Sequence, residues 1–251
     1  MRPMRTTWII VVGGALALPG CARHRQVRAG PTPAALLDRA RVEVRRGQWG
    51  KALQDLQRLT FELAPNDSVL PEVHYYVGEG YFQTGSYVEA AHEFRTTADQ
   101  YPGTRYAPLA LLRAGDANLR LWHRPELDPS YGEAALAIYQ ELAGRYPETE
   151  AAARAQLHVR TLREQFADKA YKNGMFYFRR GAFDSGIIYF KDIIANYADT
   201  PRAADALMRL ADSYRAIGYK DELRETCAHA HRFYSAAAGL ARSCPDSIST
   251  N

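Results

Sequence analysis

The chain has 251 residues, with 32 Lys and Arg against 28 Asp and Glu and a formal net charge of +4. This near-neutral balance excludes a nucleic-acid-binding protein that relies on a concentrated basic surface. The length fits one repeat domain, and no apolar run after residue 20 is long enough to span a membrane.

Residues 1–20 are typical of a bacterial lipoprotein signal peptide. Arg2 and Arg5 precede a short apolar run, Trp8–Leu18, and the letters LPGC then end at Cys21. The run is too short for a membrane-spanning helix, which needs about 20 residues. We therefore expect Cys21 to become the acylated N-terminus, carrying palmitate-type chains. The alternative is an ordinary secretory signal that happens to precede a cysteine.

Residues 21–33 are predicted to be the acylated cysteine and a flexible tether. The segment is polar and basic and ends in Gly30, Pro31 and Pro33. About ten extended residues reach roughly 33 Å. Ala22 follows the cysteine, so Asp, the residue associated with retention at the inner membrane, is absent there. This favours an outer-membrane location on the periplasmic face.

The stretch from residue 78 to 102 predicts two short helices folded back on each other. Gly78 and Tyr81 share one face of the first helix, because residues three apart are neighbours. Gly85 suits the turn, since glycine adopts positive φ readily. On the second helix Ala90 is small enough to let the two helices approach at Gly78, and Phe94 lies beside it. The order of small and aromatic residues resembles the tetratricopeptide (TPR) hairpin.

The same offsets recur along the chain. Positions equivalent to Ala90 lie 38, 45, 51 and 37 residues apart, which is longer than the TPR period of about 34. We predict an all-α, TPR-like helical-hairpin solenoid of about five repeats. Repeats 1–3 would occupy residues 34–148, repeats 4–5 residues 149–236, and a C-terminal tail residues 237–251. The equivalent positions are Ala52, Ala90, Ala135, Gly186 and Leu223.

The first helix of each hairpin is expected to line the concave side of the solenoid. In the central repeat, four side chains are turned away from the hairpin core and are interpreted as a groove for an extended peptide: Tyr75, Glu79, Phe82 and Gln83. In the fourth repeat the corresponding predicted partner-binding residues are Tyr171, Met175, Phe178 and Arg179. The alternative is that neighbouring helices cover these side chains, since buried and exposed aromatics look alike in sequence.

Two further segments interrupt the repeats. Residues 122–130, WHRPELDPS, form a long connection on a predicted binding face. Residues 148–173 lack Pro and predict one long helix that links repeats 1–3 to repeats 4–5.

Cys227 and Cys244 form the only pair left after Cys21. In an oxidising compartment they could be bridged, which would attach the tail to the last repeat, or Cys227 could be a small buried residue and Cys244 a free thiol. Cys227 and His231 share a helix face, but His229 does not, which disfavours a metal site. We find no catalytic motif and expect no cofactor and no enzyme activity.

The whole arrangement resembles the BamD family, outer-membrane lipoproteins of the β-barrel assembly machinery. The resemblance is carried by the letters ending at Cys21, the repeats, the Tyr-Pro-x-Thr tags at Tyr101 and Tyr146, and the segment 177–197. It implies that the C-terminal repeats bind the barrel-forming subunit, which has periplasmic domains, and that the N-terminal repeats receive unfolded outer-membrane proteins.

Two other functions are compatible with the residues. One is a periplasmic TPR scaffold for cell-wall or envelope assembly that has no part in barrel insertion. The other, which the residues favour least, is an enzyme or enzyme accessory that uses Cys227 and His231.

Overall fold

The computed structural model describes residues 30–123 and 128–246, and these contain eleven α-helices and no strand. The predicted signal peptide, Cys21 and most of the tether at residues 21–33 lie outside the described residues. The helices are α1 Pro33–Arg45, α2 Trp49–Glu62, α3 Leu70–Gln83, α4 Tyr87–Gln100, α5 Tyr106–Leu121, α6 Ser130–Arg145, α7 Glu150–Phe178, α8 Phe183–Asn196, α9 Arg202–Ile217, α10 Lys220–Phe233 and α11 Leu240–Ser243.

The first ten helices pair in chain order into five antiparallel hairpins, which confirms the predicted all-α, TPR-like solenoid. Each hairpin also packs against the next one along the chain. The turns follow the sequence pattern. Gly85 and Gly218 have φ of 86° and 78°, a left-handed conformation that glycine adopts without the steric penalty of a Cβ atom.

In three hairpins, a glycine on the first helix packs against a large aromatic ring on the second helix. A Cβ atom on Gly78 would lie 2.7 Å from the ring of Phe94, and one on Gly174 would lie 2.6 Å from Phe190. The atoms nearest to that position on Gly78 belong to Phe94, the residue that the sequence places beside Ala90 on the inner face. A ring fills the space better than a methyl group, and both phenylalanines are fully buried.

Helix α7 is the 29-residue helix predicted to link the two groups of repeats. Its first part contributes Leu162 and Phe166 to the core of the second and third hairpins. Its last part contributes Ala167 and Ala170 to the core of the fourth and fifth hairpins. Thr149 caps the helix, accepting a hydrogen bond from the backbone of the first turn, which satisfies one otherwise unpaired amide. One rigid helix therefore belongs to both cores.

The tail is attached to the last hairpin. Cys227 and Cys244 form a disulfide with 5.1 Å between their Cα atoms, so the structure contains the bridge that the sequence left open. Arg215 donates a hydrogen bond to the carbonyl of Ser243, and His231 Nε2 lies 2.8 Å from the carbonyl oxygen of Cys244. The bridge spans 17 residues, for which loop-closure entropy gives a stabilisation of about 3 kcal/mol. Residues up to 244 thus cap the end of the solenoid.

Candidate protein-binding surfaces

The predicted groove of the central repeat is largely covered by helix α5. Glu79 and Phe82 are 8% and 9% exposed, and the ring of Tyr75 packs against Phe94 and Tyr106. The expectation that these side chains face an open groove is therefore wrong for Glu79 and Phe82. The first helix of the next hairpin lies on the side of α3 that its own hairpin leaves free. Of the four predicted residues, Gln83 is exposed.

Arg113 on α5 accounts for the burial of this face. Its guanidinium donates two hydrogen bonds to Glu79, at 2.5 and 2.9 Å, and one to Asp116 at 3.0 Å. It also lies 3.8 Å from the centre of the Phe82 ring, a cation–π contact. Burial lowers the pKa of Arg113, but the bonds to Glu79 and Asp116 outweigh that effect and raise the pKa above its ordinary value. The guanidinium is therefore a permanently charged link between the second and third hairpins.

The link extends into α6 through a tyrosine. Tyr139 is fully buried, and its hydroxyl donates a 2.7 Å hydrogen bond to Asp116. Its ring stacks on His158 of α7 at 4.7 Å. Burial is the main reason that the pKa of Tyr139 is raised. Asp116 thus joins Arg113 on its own helix to Tyr139 on the next one.

Part of the surface of the N-terminal repeats remains accessible around Tyr76. This half-buried side chain lies among charged groups from α1, α3 and the start of α5. Arg41 donates two hydrogen bonds to Glu72, at 2.7 and 2.9 Å, and these lower the pKa of the Glu72 carboxyl. Arg105 donates a 2.8 Å hydrogen bond to the hydroxyl of Tyr106. We call these five residues the Tyr76 cluster.

Sequence reasoning selected Tyr75 and missed Tyr76. The two tyrosines are adjacent, and offsets from Gly78 identify which face belongs to the hairpin core. They do not identify where the following helix lies. The spacing of Glu72 and Tyr76, four residues apart on one helix face, is the signal that could have identified the cluster.

The predicted partner-binding residues of the fourth repeat repeat the pattern of the central one. Tyr171, Met175 and Phe178 are half-buried and pack against the C-terminal core, beneath α9. The guanidinium of Arg209 lies 5.6 Å from the Phe178 ring, as Arg113 lies over Phe82. Because these three side chains keep part of their exposure, their assignment to a partner-binding surface stays a prediction. Arg179 is exposed, as expected.

The opposite side of the same hairpin carries an aromatic row, partly exposed, that the sequence did not identify as a binding surface. Phe176 is 49% exposed and meets Tyr177 edge to face at 5.2 Å. Tyr177 stacks on Tyr189 of α8 at 5.7 Å. The guanidinium of Arg180 lies 3.6 Å from the centre of the Phe176 ring. We call Phe176, Tyr177, Tyr189 and Arg180 the α7–α8 aromatic face.

Three cavities adjoin α7, and two of them are lined by aromatic side chains. One, of about 340 Å³, has Trp122 and Phe166 at its base and is also lined by Gln165, Lys172 and Asn173. Trp122 donates a 2.8 Å hydrogen bond to the carbonyl of Asp128, and this bond joins the two described ends of the connection predicted at residues 122–130. A smaller cavity of about 160 Å³ lies between the start of α6 and α8, and Asn173 and Tyr189 line it.

The described residues hold no group of three His, Cys, Asp or Glu side chains placed to bind a metal ion. Cys227 is bonded to Cys244, so within this structure its sulfur is not a free nucleophile. Among the same described residues, no helix is long and apolar enough to cross a membrane. What the described surface offers is aromatic, guanidinium and amide groups, which are suited to binding other proteins.

Comparison with known proteins confirms the family resemblance. A family model described as "YfiO: Outer membrane lipoprotein" matches residues 31–229, which run from just before α1 into α10. An outer membrane protein assembly factor BamD of Caulobacter vibrioides is 27% identical over 73% of this chain and 60% of its own length, so the alignment spans less than two thirds of that relative. The Vibrio cholerae BamD is 25% identical over 86% of this chain and 94% of its own length.

Solved structures of repeat proteins also match. A thermophilic TPR protein of Thermus thermophilus is 21% identical, covers 86% of this chain and 98% of its own, and has a TM-score of 0.40.

Proposed function

Because the chain belongs to the YfiO family of outer membrane lipoproteins, we propose that it is a lipid-anchored scaffold in the assembly of outer-membrane β-barrel proteins. The observation that carries this proposal is the family match over residues 31–229, which includes nearly all of the five hairpins. A solenoid of this kind presents long surfaces to other proteins and holds them at fixed distances from one another.

The proposed anchor is Cys21, acylated after removal of residues 1–20. Acyl chains bind a bilayer because each buried methylene contributes about 0.8 kcal/mol, and more than one chain is needed for stable attachment. The tether then joins the anchor to α1, which begins at Pro33. The solenoid would work on the periplasmic face of the outer membrane.

Two surfaces have separate proposed roles. The C-terminal repeats bind the barrel-forming subunit of the machinery, a protein with periplasmic domains. The N-terminal repeats receive unfolded outer-membrane proteins. Because α7 belongs to both cores, the structure supports a rigid connection between the two roles.

The Tyr76 cluster is the part of the N-terminal repeats that we propose for client binding, together with Gln83. Barrel strands alternate apolar and polar residues, so an extended client offers apolar side chains and unpaired backbone groups together. Tyr76 supplies a ring, while Arg105 and Gln83 supply hydrogen-bond donors. Binding is expected to be weak, since ordering an unfolded segment costs about 2–5 kcal/mol.

We expect the full chain, purified from detergent-solubilised envelope, to bring with it a large β-barrel protein that has periplasmic domains. Mass spectrometry of the bound proteins checks this. The control is a Cys21→Ala variant, which should fail to reach the outer membrane and should lose the barrel protein. Recovery of cell-wall enzymes alone would instead favour the envelope scaffold without a role in barrel insertion.

A second expectation concerns the clients. Tyr76→Ala together with Gln83→Ala should weaken binding of a client-derived peptide by about tenfold, the size expected for loss of one aromatic contact and one hydrogen bond. Fluorescence anisotropy with the full chain measures the affinity.

The matched control for the client experiment is Tyr131→Ala. Tyr131 is also a partly exposed tyrosine, at 40%, but it lies on α6 in the third hairpin. It should leave the peptide affinity within about twofold of the wild type, as is usual outside a binding hot spot. Equal affinities for the wild type and the Tyr76 variant, with both folded, would remove the Tyr76 cluster from the proposal.

A further inference from the structure

The turn of the first hairpin carries three basic side chains and a tryptophan. Residues 45–51 read RRGQWGK, and this segment contains no acidic residue. Gly47 has a φ of 69° and makes the tight turn between α1 and α2. A Cβ atom on Gly47 or on Gly50 would have no neighbour within 4 Å, so the space around the turn is open. We call four residues the α1–α2 basic turn: Arg45, Arg46, Trp49 and Lys51.

The positive charges of this turn are not neutralised by the protein. Arg45, Arg46 and Lys51 are exposed, and none of them has a carboxylate partner within residues 30–123 and 128–246. In contrast, Arg39 on the same helix is paired with Asp55. The first turn of α2 also contains no acidic residue. A patch of this kind attracts anionic groups from outside the protein.

Trp49 lacks the packing partner that the equivalent residue has in another hairpin. In the fourth hairpin the letters RRGAF repeat the pattern RRGQW, and Phe183 there packs edge to face on Phe178 at 5.3 Å. The residue equivalent to Phe178 in the first hairpin is Val44. Among the described residues, Trp49 meets no other ring, and its half-buried side chain lies outside the core of the first hairpin.

The indole of Trp49 also has an unused polar group. Its Nε1 donates no hydrogen bond to any atom of the described chain. An indole has an apolar body and one polar N–H, and for that reason tryptophan is enriched where hydrocarbon meets water at a membrane surface. Neighbouring Arg and Lys side chains add attraction to anionic lipids. The composition of this turn therefore fits a lipid surface.

The proposed anchor allows the turn to reach a bilayer. Cys21 lies twelve residues before Pro33, where α1 begins, and twelve extended residues span about 40 Å. Helix α1 has 13 residues and is about 20 Å long. The tether is thus long enough for the far end of α1, where the basic turn lies, to meet the membrane that holds the acyl chains.

We propose that the α1–α2 basic turn binds anionic phospholipid headgroups of the membrane to which the chain is anchored. The inference rests on the lipid anchor of the proposed function. Arg45, Arg46 and Lys51 bind headgroup phosphates, and the ring of Trp49 lies at the level of the headgroups. Each basic side chain near an anionic surface strengthens attachment by about fivefold. The turn therefore orients the first hairpin on the bilayer, while the acyl chains supply the permanent attachment.

The test uses the acylated chain, incorporated into vesicles through its own anchor. Removal of residues 1–20 takes away Trp8, so the mature chain contains two tryptophans, Trp49 and Trp122. The vesicles consist of phosphatidylglycerol and phosphatidylethanolamine with brominated acyl chains, which quench an indole at the bilayer surface. We expect quenching in the wild type. Trp49→Phe leaves Trp122 as the one fluorescent indole, and its emission should stay unquenched.

Charge reversal tests the role of the headgroups. Arg45→Glu with Arg46→Glu should lower the quenched fraction at least fivefold, because two attractive contacts become repulsive. The matched control is Arg179→Glu with Arg180→Glu, the same letters at the turn of the fourth hairpin, which should stay within about twofold of the wild type. All four positions are exposed, so the variants should fold normally, which circular dichroism checks.

Salt separates the turn from the anchor. Raising the ionic strength from about 0.1 M to about 1 M shortens the Debye length from about 10 Å to about 3 Å. Quenching of Trp49 should therefore decrease, while the chain stays with the vesicles, because insertion of acyl chains depends on apolar burial. Vesicles of brominated phosphatidylcholine, which has no net charge, should quench Trp49 at least fivefold less.

Four results would overturn the inference, and they are distinguishable. If the acylated chain does not stay with the vesicles, the anchor of the proposed function fails and takes this inference with it. If the chain stays but Trp49 is not quenched, this inference alone is wrong. If charge reversal or phosphatidylcholine leaves the quenching unchanged, the headgroup charge has no role. If Trp49 emission responds only to a client peptide or to a second copy of the chain, the turn binds protein instead of lipid.

Discussion

We expect Gly115→Ala to destabilise the protein by about 2 kcal/mol, although the change adds one methyl group. The new Cβ atom would lie 2.6 Å from Cζ of Tyr139, far inside van der Waals contact. That ring cannot withdraw, because it is fully buried, stacked on His158 and hydrogen-bonded to Asp116. Overpacking a well-packed core costs about 1–3 kcal/mol, and the better helix propensity of alanine offsets up to about 1 kcal/mol of it.

Gly144→Ala is the matched control for this prediction. It makes the same substitution within α6, where a Cβ atom would have no neighbour within 4 Å. Its stability should stay the same or rise by up to about 1 kcal/mol. For a domain of this size, 1 kcal/mol corresponds to a shift in Tm of about 2–4 °C, so thermal melts should separate the two variants clearly. Equal melting temperatures would show that the glycine is not required by the ring.

The hairpin itself could be predicted from the sequence because its determinants are local. Gly85 marks the turn, and the small and large residues that face each other lie at fixed sequence distances from it. A single pair of helices therefore contains the whole pattern. The sequence did not show that the ring of Phe94 is the group nearest to Gly78. Offsets show that Phe94 shares a face with Ala90, but they do not show which of the two side chains fills the gap.

The binding surfaces were harder to predict because they depend on contacts between repeats. Glu79 and Phe82 look like groove residues until α5 is placed over them, and Arg113, which completes their burial, lies 34 residues from Glu79. For the α7–α8 aromatic face the difficulty is reversed. Phe176 lies near the end of α7 and is 49% exposed. The sequence predicts the long helix, but it does not show which face of that helix the neighbouring hairpins leave uncovered.

The same dependence on contacts between repeats makes Arg113 the charged residue whose loss should affect the fold most. In Arg113→Ala, the carboxylate of Glu79, a residue that is 8% exposed in the wild type, would lose its cation, and Phe82 would lose its covering guanidinium. Removing one partner of a buried ion pair costs about 3–5 kcal/mol. We expect Arg113→Ala to lower the free energy of unfolding by about 3 kcal/mol, the lower end of this range. The side chain of Arg113 is 20% exposed, so water can partly take its place.

Arg145→Ala provides the comparison that separates burial from charge. Arg145 also contacts two carboxylates, Glu141 at 2.5 Å and Asp99 at 3.6 Å, but its side chain is 36% exposed. A surface pair of this kind contributes about 0–1 kcal/mol, so urea denaturation should give a midpoint close to that of the wild type.

A double variant tests whether Glu79 is the reason for the cost. Glu79→Gln with Arg113→Met removes both charges and keeps most of the side-chain volume over Phe82. We expect it to be more stable than Arg113→Ala by about 1–3 kcal/mol, since the buried carboxylate of Glu79 is then no longer left without a cation opposite it. The midpoint of urea denaturation measures the difference, provided that the slope of the transition is unchanged. If the double variant were no more stable than Arg113→Ala, the contribution of Arg113 would come from its packing on Phe82 and its bond to Asp116, and the second and third hairpins would be joined by those contacts instead of by the ion pair.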